Sequence, residues 1–310
     1  MPPTKLTIPY SQTHKIQSKF NNFEYELSVI LPPEYAHNNN NYPVIFTTDP
    51  DFLLPLLRGI ASSLYPIIPK SIIVGIGHAN LDFLELSKNS YEEKINILRA
   101  RDFLPWKYNK SIRHLSGKNL EIEAKTIESS GRAEAFKNFV TGEALPLIDK
   151  TYRTTKEKTL IGHSFGGIFA NFLMLNYPSF FQNYLIISPI LNFEDGIVFN
   201  EMNNLSKTTP IKAYLAAGSL ESGYSTNEKF LADLKKFHEK INSSPNVNSI
   251  IEIFTDEYHA SVVPMALSKG LRFLLSKIPN KKTLSSIEEL EKNNGEQVPN
   301  SKKLFKNLNI

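Results

Sequence analysis

The chain contains no cysteine in its 310 residues. That excludes a disulfide framework, a thiolate metal site and a thiol nucleophile, while leaving the redox compartment open. Long apolar runs are missing too. No stretch approaches the roughly 18 consecutive apolar residues of a transmembrane helix, so no membrane span is expected. The opening Met1-Pro2-Pro3-Thr4-Lys5 shows neither the apolar core nor the small-residue cleavage site of a secretory signal, which makes the cytoplasm the expected location. Charge of one sign is not in excess either. Lys and Arg total 35 against 31 Asp and Glu, the lysines are scattered, and no basic stripe with interleaved aromatics occurs. Nucleic acid is therefore not an expected partner. Internal repeats are absent.

What is present suits one large globular domain: 41% of the residues are hydrophobic and 21% charged. Residues 5–31 read as antiparallel strands, because Phe23, Tyr25, Leu27 and Val29 alternate with Glu24, Glu26 and Ser28. Pro32-Pro33 ends that pattern, and the asparagine-rich residues 37–41 predict an exposed hairpin loop. Val44-Ile45-Phe46 and Ile72-Ile73-Val74-Gly75-Ile76 are continuous apolar runs, as expected of strands buried on both faces. A crossover helix is predicted between them, over 52–64. Residues about 77–132 form a long polar and aromatic insertion with one helical piece near 91–98, and connections of that length are usually functional. Beyond it, strand and helix alternate: helix 133–152, strand 159–162, helix 168–177, strands 184–187 and 211–217, helix 227–241, strand 249–255, helix 262–275. This alternation predicts an α/β fold, a doubly wound and mostly parallel sheet with an antiparallel N-terminal part. One domain is expected over 1–279, followed by a polar tail over 280–310.

The most informative stretch is Thr159-Leu160-Ile161-Gly162-His163-Ser164-Phe165-Gly166-Gly167, an apolar strand turning through G-x-S-x-G into an apolar helix. In that context Ser164 is a candidate nucleophile on a strained strand–turn–helix elbow. Side chains at Gly162 or Gly166 would collide across the turn, and Gly167 lets the helix approach the sheet. A serine hydroxyl needs a base, and the base needs a partner that fixes its tautomer. On such an elbow the chain order runs serine, acid, histidine. Of seven histidines, only His259 lies between the last predicted strand and the last predicted helix. His163 sits inside the elbow, where its ring is expected to face away from Ser164. Glu221, three residues after the strand-end Gly218, is the candidate acid; Asp195, Asp256 and Glu257 compete, and a Ser–His dyad oriented by a carbonyl is the remaining option. The amide of Phe165 is one candidate oxyanion donor. The second should follow Phe46-Thr47-Thr48. Pro50 has no N–H, so Asp51 is preferred and Phe52 is the fallback.

The elbow, the Gly218-Ser219-Leu220-Glu221 turn and the block His259-Ala260-Ser261-Val262-Val263-Pro264 through Leu275 resemble the esterase family of α/β-hydrolases, which includes D-type esterases and siderophore trilactone esterases. Leu31-Pro32-Pro33-Glu34-Tyr35, Val74-Gly75-Ile76-Gly77, Arg99-Ala100-Arg101-Asp102 and Ser188-Pro189-Ile190 add to the likeness, which covers about residues 5–277. The resemblance implies an α/β-hydrolase fold and cleavage of a small-molecule ester by Ser164, Glu221 and His259, with no metal and no other cofactor. Acyl transfer is compatible with the same fold. Two departures stand out: Asp49-Pro50 where the family usually has Asp-Gly, and Gly131-Arg132-Ala133 where Gly-Gly-Ala is usual. Arg132 is either a surface residue or a cation reaching the cleft. Arg99 and Arg101 either face an anionic substrate, as basic residues do in the siderophore branch, or pair internally with Asp102. Trp106, with Phe103 and Tyr108, either lines a pocket or packs the insertion. Three functions compete at this point: a serine carboxylesterase, a siderophore trilactone esterase of the enterobactin or salmochelin type, and an inactive hydrolase-like binding protein.

Overall fold

The computed structural model describes residues 7–79, 91–107, 120–191, 210–221 and 227–276. Strands β1 (Ser11–Gln17), β2 (Glu24–Ile30), β3 (Tyr42–Thr48), β4 (Ile72–His78), β5 (Thr154–His163), β6 (Asn183–Ile187), β7 (Ile211–Gly218) and β8 (Val247–Phe254) form one sheet in the order β1-β2-β4-β3-β5-β6-β7-β8. β2 is antiparallel to both β1 and β4. Every pairing from β4 to β8 is parallel. Among the described residues the helices are α1 (Pro50–Ser63), α2 (Tyr91–Phe103), α3 (Leu120–Ser129), α4 (Ala133–Phe139), α5 (Leu145–Thr151), α6 (Phe165–Asn176), α7 (Asn227–Asn242) and α8 (Val263–Leu275). This is the doubly wound, mostly parallel sheet expected from the alternation.

The apolar runs alternate between two cores, one on each face of the sheet. Val44 and Phe46 of β3, Ile72, Val74 and Ile76 of β4, and Leu160 of β5 point into the larger core, with α4, α5, α6 and α7. Ile45, Ile73 and Ile161, their neighbours in sequence, point into the smaller one, with α1 and α8. The period-two geometry of a strand makes this division unavoidable once both faces are covered.

Three local expectations needed correction. Residues 37–41 do not close a hairpin, because β4 lies between β2 and β3; a turn-rich stretch says that the chain reverses, not which strand it pairs next. The insertion holds two helices where one was expected, and the first runs on to Phe103. The helix predicted over 133–152 contains a wide π turn at Val140–Ala144. Pro146 follows it; lacking an N–H, it leaves the carbonyl four residues earlier without its α-helical donor, and a widened turn relieves that mismatch. Residues 80–90 and 108–119 of the insertion, Tyr108 and Asp195 among the candidates, and the tail from 277 onward lie outside the described residues.

Parallel strands bring their carboxyl ends to one edge. The connections after β3, β5, β7 and β8 therefore meet there, bringing Ser164, Phe165, Asp51, Glu221 and His259 to that edge.

Candidate active site

Ser164 joins β5 to α6 at φ 58° and ψ −119°, a left-handed backbone that ordinary residues avoid. Its own N–H donates to the Ile187 carbonyl (2.9 Å), which pins the elbow to β6. The glycines show why the turn is this tight. A Cβ on Gly162 would lie 2.0 Å from the Gly166 oxygen, and one on Gly166 would lie 2.2 Å from Thr48 Oγ1.

His259 sits on the loop after β8, with Nδ1–H donating to Glu221 Oε2 at 2.7 Å. Glu221 is 3% exposed. Its other oxygen accepts from the Gly218 amide (3.3 Å) and from the hydroxyl of Ser188, a residue at positive φ after β6. The two loops are stitched together by Leu220 N–H to the Glu257 carbonyl (2.9 Å), Ser219 N–H to the Phe254 carbonyl (2.8 Å) and Asp256 N–H to Ser219 Oγ (2.9 Å). Contact is so close that a Cβ on Gly218 would lie 2.0 Å from the Glu257 oxygen. The competitors Asp256 and Glu257 thus serve the loop itself. Ser188 carried no role in the sequence reading; its signal was only the Ser-Pro-Ile motif.

The oxyanion candidates sit at two helix starts. Phe165 opens α6 and Asp51 is the second residue of α1, so neither N–H has an intrahelical carbonyl. The Phe52 N–H is already given to the Asp49 carbonyl (3.1 Å), which leaves Asp51 as the better donor. Asp49, at φ 51°, turns the chain into α1. The unusual Pro50 is housed by two glycines of β4: Cβ atoms on Gly75 and Gly77 would approach its ring to 2.6 and 2.8 Å.

A cavity of about 370 Å³ is lined by Asp49, Asp51, Phe52, His78, Tyr91, Arg99, His163, Ser164 and His259, among others. Of the four substrate-binding candidates only Arg99 lines it. Arg99 pairs with Asp49 rather than Asp102 (Nε–Oδ1 2.8 Å), and so ties α2 to the turn before α1. Arg101 is 2% exposed and grips Asp102 with two hydrogen bonds of 2.7 Å. Trp106 packs against the larger core, as does Phe103. Arg132 is exposed just before α4. Adjacency in sequence could not separate these outcomes, because Arg99 and Arg101 lie on different sides of one helix.

The sequence reading gave His163 no partner. His163 lines the cavity with Ser164 and His259, and its Nε2–H donates to the His259 carbonyl at 2.8 Å. The available signal was a polar ring at the end of a buried strand, which must find a partner. Burial, and then the neighbouring His259 and Arg99, push the His163 imidazole down to about 3. The unfolded chain takes up a proton here near 6.5 and the folded chain does not, so protons favour unfolding. Stability is expected to be complete above about pH 6.5. It should fall as the pH drops toward 3, by up to about 1.4 kcal/mol per pH unit from this group. Urea midpoints between pH 7 and 5 should show a shallower fall in His163→Gln than in the wild type.

A family model described as "Putative esterase" matches residues 109–253. Ferri-bacillibactin esterase BesA of Bacillus subtilis is 26% identical over 285 residues, 87% of this chain and 91% of that protein. The BES protein from Bacillus cereus has a crystal structure matching 88% of this chain and 97% of its own, with a TM-score of 0.70 and 26% identity. The IroE-like serine hydrolase from Shewanella oneidensis shares the fold at 22% identity, with a TM-score of 0.69, covering 96% of this chain and 92% of that one. The chain is thus similar to esterases of the α/β-hydrolase type over most of its length and is an enzyme that hydrolyses ester bonds.

Proposed function

We propose that the enzyme is a serine carboxylesterase working through an acyl-enzyme. The observation carrying this is that Ser164, strained at the elbow, opens on one cavity with His259, whose Nδ1 is held by the buried Glu221. Ser164 Oγ attacks the ester carbonyl while His259 takes its proton. The tetrahedral oxyanion is held by the N–H groups of Phe165 and Asp51, aided by the positive ends of α6 and α1. Collapse expels the alcohol, which receives the proton from His259. Water, deprotonated by His259, then attacks the acyl group and frees Ser164.

The roles of His259 and Glu221 separate by magnitude. His259→Ala removes the base itself, and kcat for p-nitrophenyl acetate is expected to fall about 10⁵–10⁶-fold. Glu221→Gln keeps the volume but offers an amide to Nδ1, and about 10⁴-fold is expected. A Glu221→Gln variant within a few-fold of wild type would reduce the site to a Ser–His dyad.

A narrower reading, that the ester belongs to a siderophore, is supported by the likeness to a ferri-bacillibactin esterase. Incubating the enzyme with ferri-bacillibactin should yield linear hydrolysis products, identified by mass. Intact trilactone after prolonged incubation with enzyme active on p-nitrophenyl acetate would remove this reading and leave the serine mechanism standing.

A further inference from the structure

The cavity that holds Ser164 is also lined by the histidine of a second histidine–carboxylate pair, on the opposite side of the sheet order from His259. His78, at the end of β4, lines the cavity, and its Nε2–H donates to Asp102 Oδ2 at 2.8 Å. Asp102, near the end of α2, is 1% exposed and fully engaged. Both of its oxygens accept from Arg101, and Oδ2 also accepts from the Tyr25 hydroxyl (3.1 Å). Burial alone would raise this carboxyl, but the Arg101 guanidinium, with hydrogen bonds from Arg101 and His78, overcomes it and holds Asp102 at about 2. An ionised carboxylate only accepts, so the proton on the His78–Asp102 bond belongs to Nε2. Arg101 already balances the charge of Asp102. In the imidazole tautomer with its proton on Nε2, Nδ1 carries a lone pair. It has no hydrogen-bond partner among the described residues, and His78 lines the cavity.

Much of the rest of this wall is already committed. Arg99 spends Nε on Asp49 and its other two nitrogens on Asn96, Asp49 and the His163 carbonyl. Asp51 accepts from the Tyr91 hydroxyl. The His78 acceptor is thus a group on this wall left to be met by a ligand. Resting on the serine-esterase reading, we propose that His78 is a specificity residue. Its Nδ1 accepts a hydrogen bond from a hydroxyl or amide N–H carried by the substrate near the scissile carbonyl, and the buried Asp102–Arg101–Tyr25 network holds the ring in the tautomer that can do so. A donor-bearing ester is favoured because a plain acyl chain leaves the Nδ1 lone pair without water or partner once bound.

The test is a matched ester set: p-nitrophenyl butyrate, 3-hydroxybutyrate, N-acetylglycinate and hemisuccinate, each kcat/KM divided by the ester's spontaneous hydrolysis rate. Wild type is expected to prefer at least one of the two donor-bearing esters over butyrate by about 10-fold or more. In His78→Gln, which retains a donor for Asp102 but places no acceptor at the Nδ1 position, that ratio should fall toward one. His78→Asn, whose side-chain oxygen stands where Nδ1 stood, should restore part of it. The ratio is the readout, so a general loss of rate in a variant decides nothing by itself. Equal wild-type ratios would overturn the proposal, as would a preference surviving in His78→Gln or a preference for the anionic hemisuccinate, which would mean that Nδ1 donates. Each of these leaves fluorophosphonate labelling of Ser164 intact. Absence of that label would instead remove the serine reading, and this proposal with it.

Discussion

Ser164→Ala is expected to lower kcat for p-nitrophenyl acetate by about 10⁵–10⁶-fold while the fold is retained. Losing only Oγ leaves the binding cavity and both oxyanion amides in place, so a residual rate about 10³–10⁴-fold above that in water should survive. The backbone at φ 58° is enforced from outside the residue: by the Ser164 N–H bond to Ile187, by the Ile168 N–H bond to the Ser164 carbonyl (3.1 Å) and by the close approach at Gly162. Alanine meets the same constraint as serine there, and its melting temperature should stay within a few degrees of wild type. A fluorophosphonate should add one covalent label to the wild type, mapped to the peptide containing Ser164, and none to the variant. Undiminished hydrolysis by Ser164→Ala would end the serine reading, whatever else the site contains.

Gly162→Ala is expected to have the largest effect on stability of any single methyl addition in the elbow. The new Cβ would meet the Gly166 oxygen at 2.0 Å, the Gly166 carbonyl carbon at 2.4 Å and the Gly167 nitrogen at 2.8 Å. All three are backbone atoms of the first turn of α6, so no side chain can swing aside. Relief requires α6 to move away from β5, and α6 carries Ile168, Phe169, Ala170 and Leu173 in the larger core. The cost should be about 3 kcal/mol or more, above the ordinary range for overpacking. Displacing α6 also moves the Phe165 amide from its place beside Ser164. Soluble Gly162→Ala protein should therefore lose fluorophosphonate labelling as well as denaturation midpoint. A variant with wild-type midpoint and labelling would show that the elbow tolerates a wider turn than this packing allows.

The two experiments probe parts of the molecule that differ in how readable they were. The elbow was legible because its constraint is local: glycines at fixed offsets around a serine, between an apolar strand and an apolar helix. Assignment of His259 and Glu221 as partners followed from order along the chain, since in a parallel sheet each later strand delivers its loop to the same edge. Local pattern could not report what a side chain meets across the fold. Arg99 and Arg101 are two residues apart, yet one closes the turn before α1 through Asp49 and the other is buried on Asp102. For His163, strand alternation described only the strand and could not name its partner. Its partner, the His259 carbonyl, arrives from 96 residues further along. Pro50 looked like a flaw in the oxyanion loop; the two glycines that accommodate it lie on β4, in a motif noted for another reason.

By itself, then, the sequence determined the α/β architecture, the elbow and the order of the catalytic candidates. Each of these rests on periodicity or on backbone sterics within a few residues. Only the tertiary structure decided which cations reach the cavity, which loops lock Glu221 to His259, and that His78, held by Asp102, lines the same cavity as Ser164. Those outcomes depend on hydrogen bonds and ion pairs between segments distant in the chain, whose partners are chosen by packing and burial rather than by local pattern.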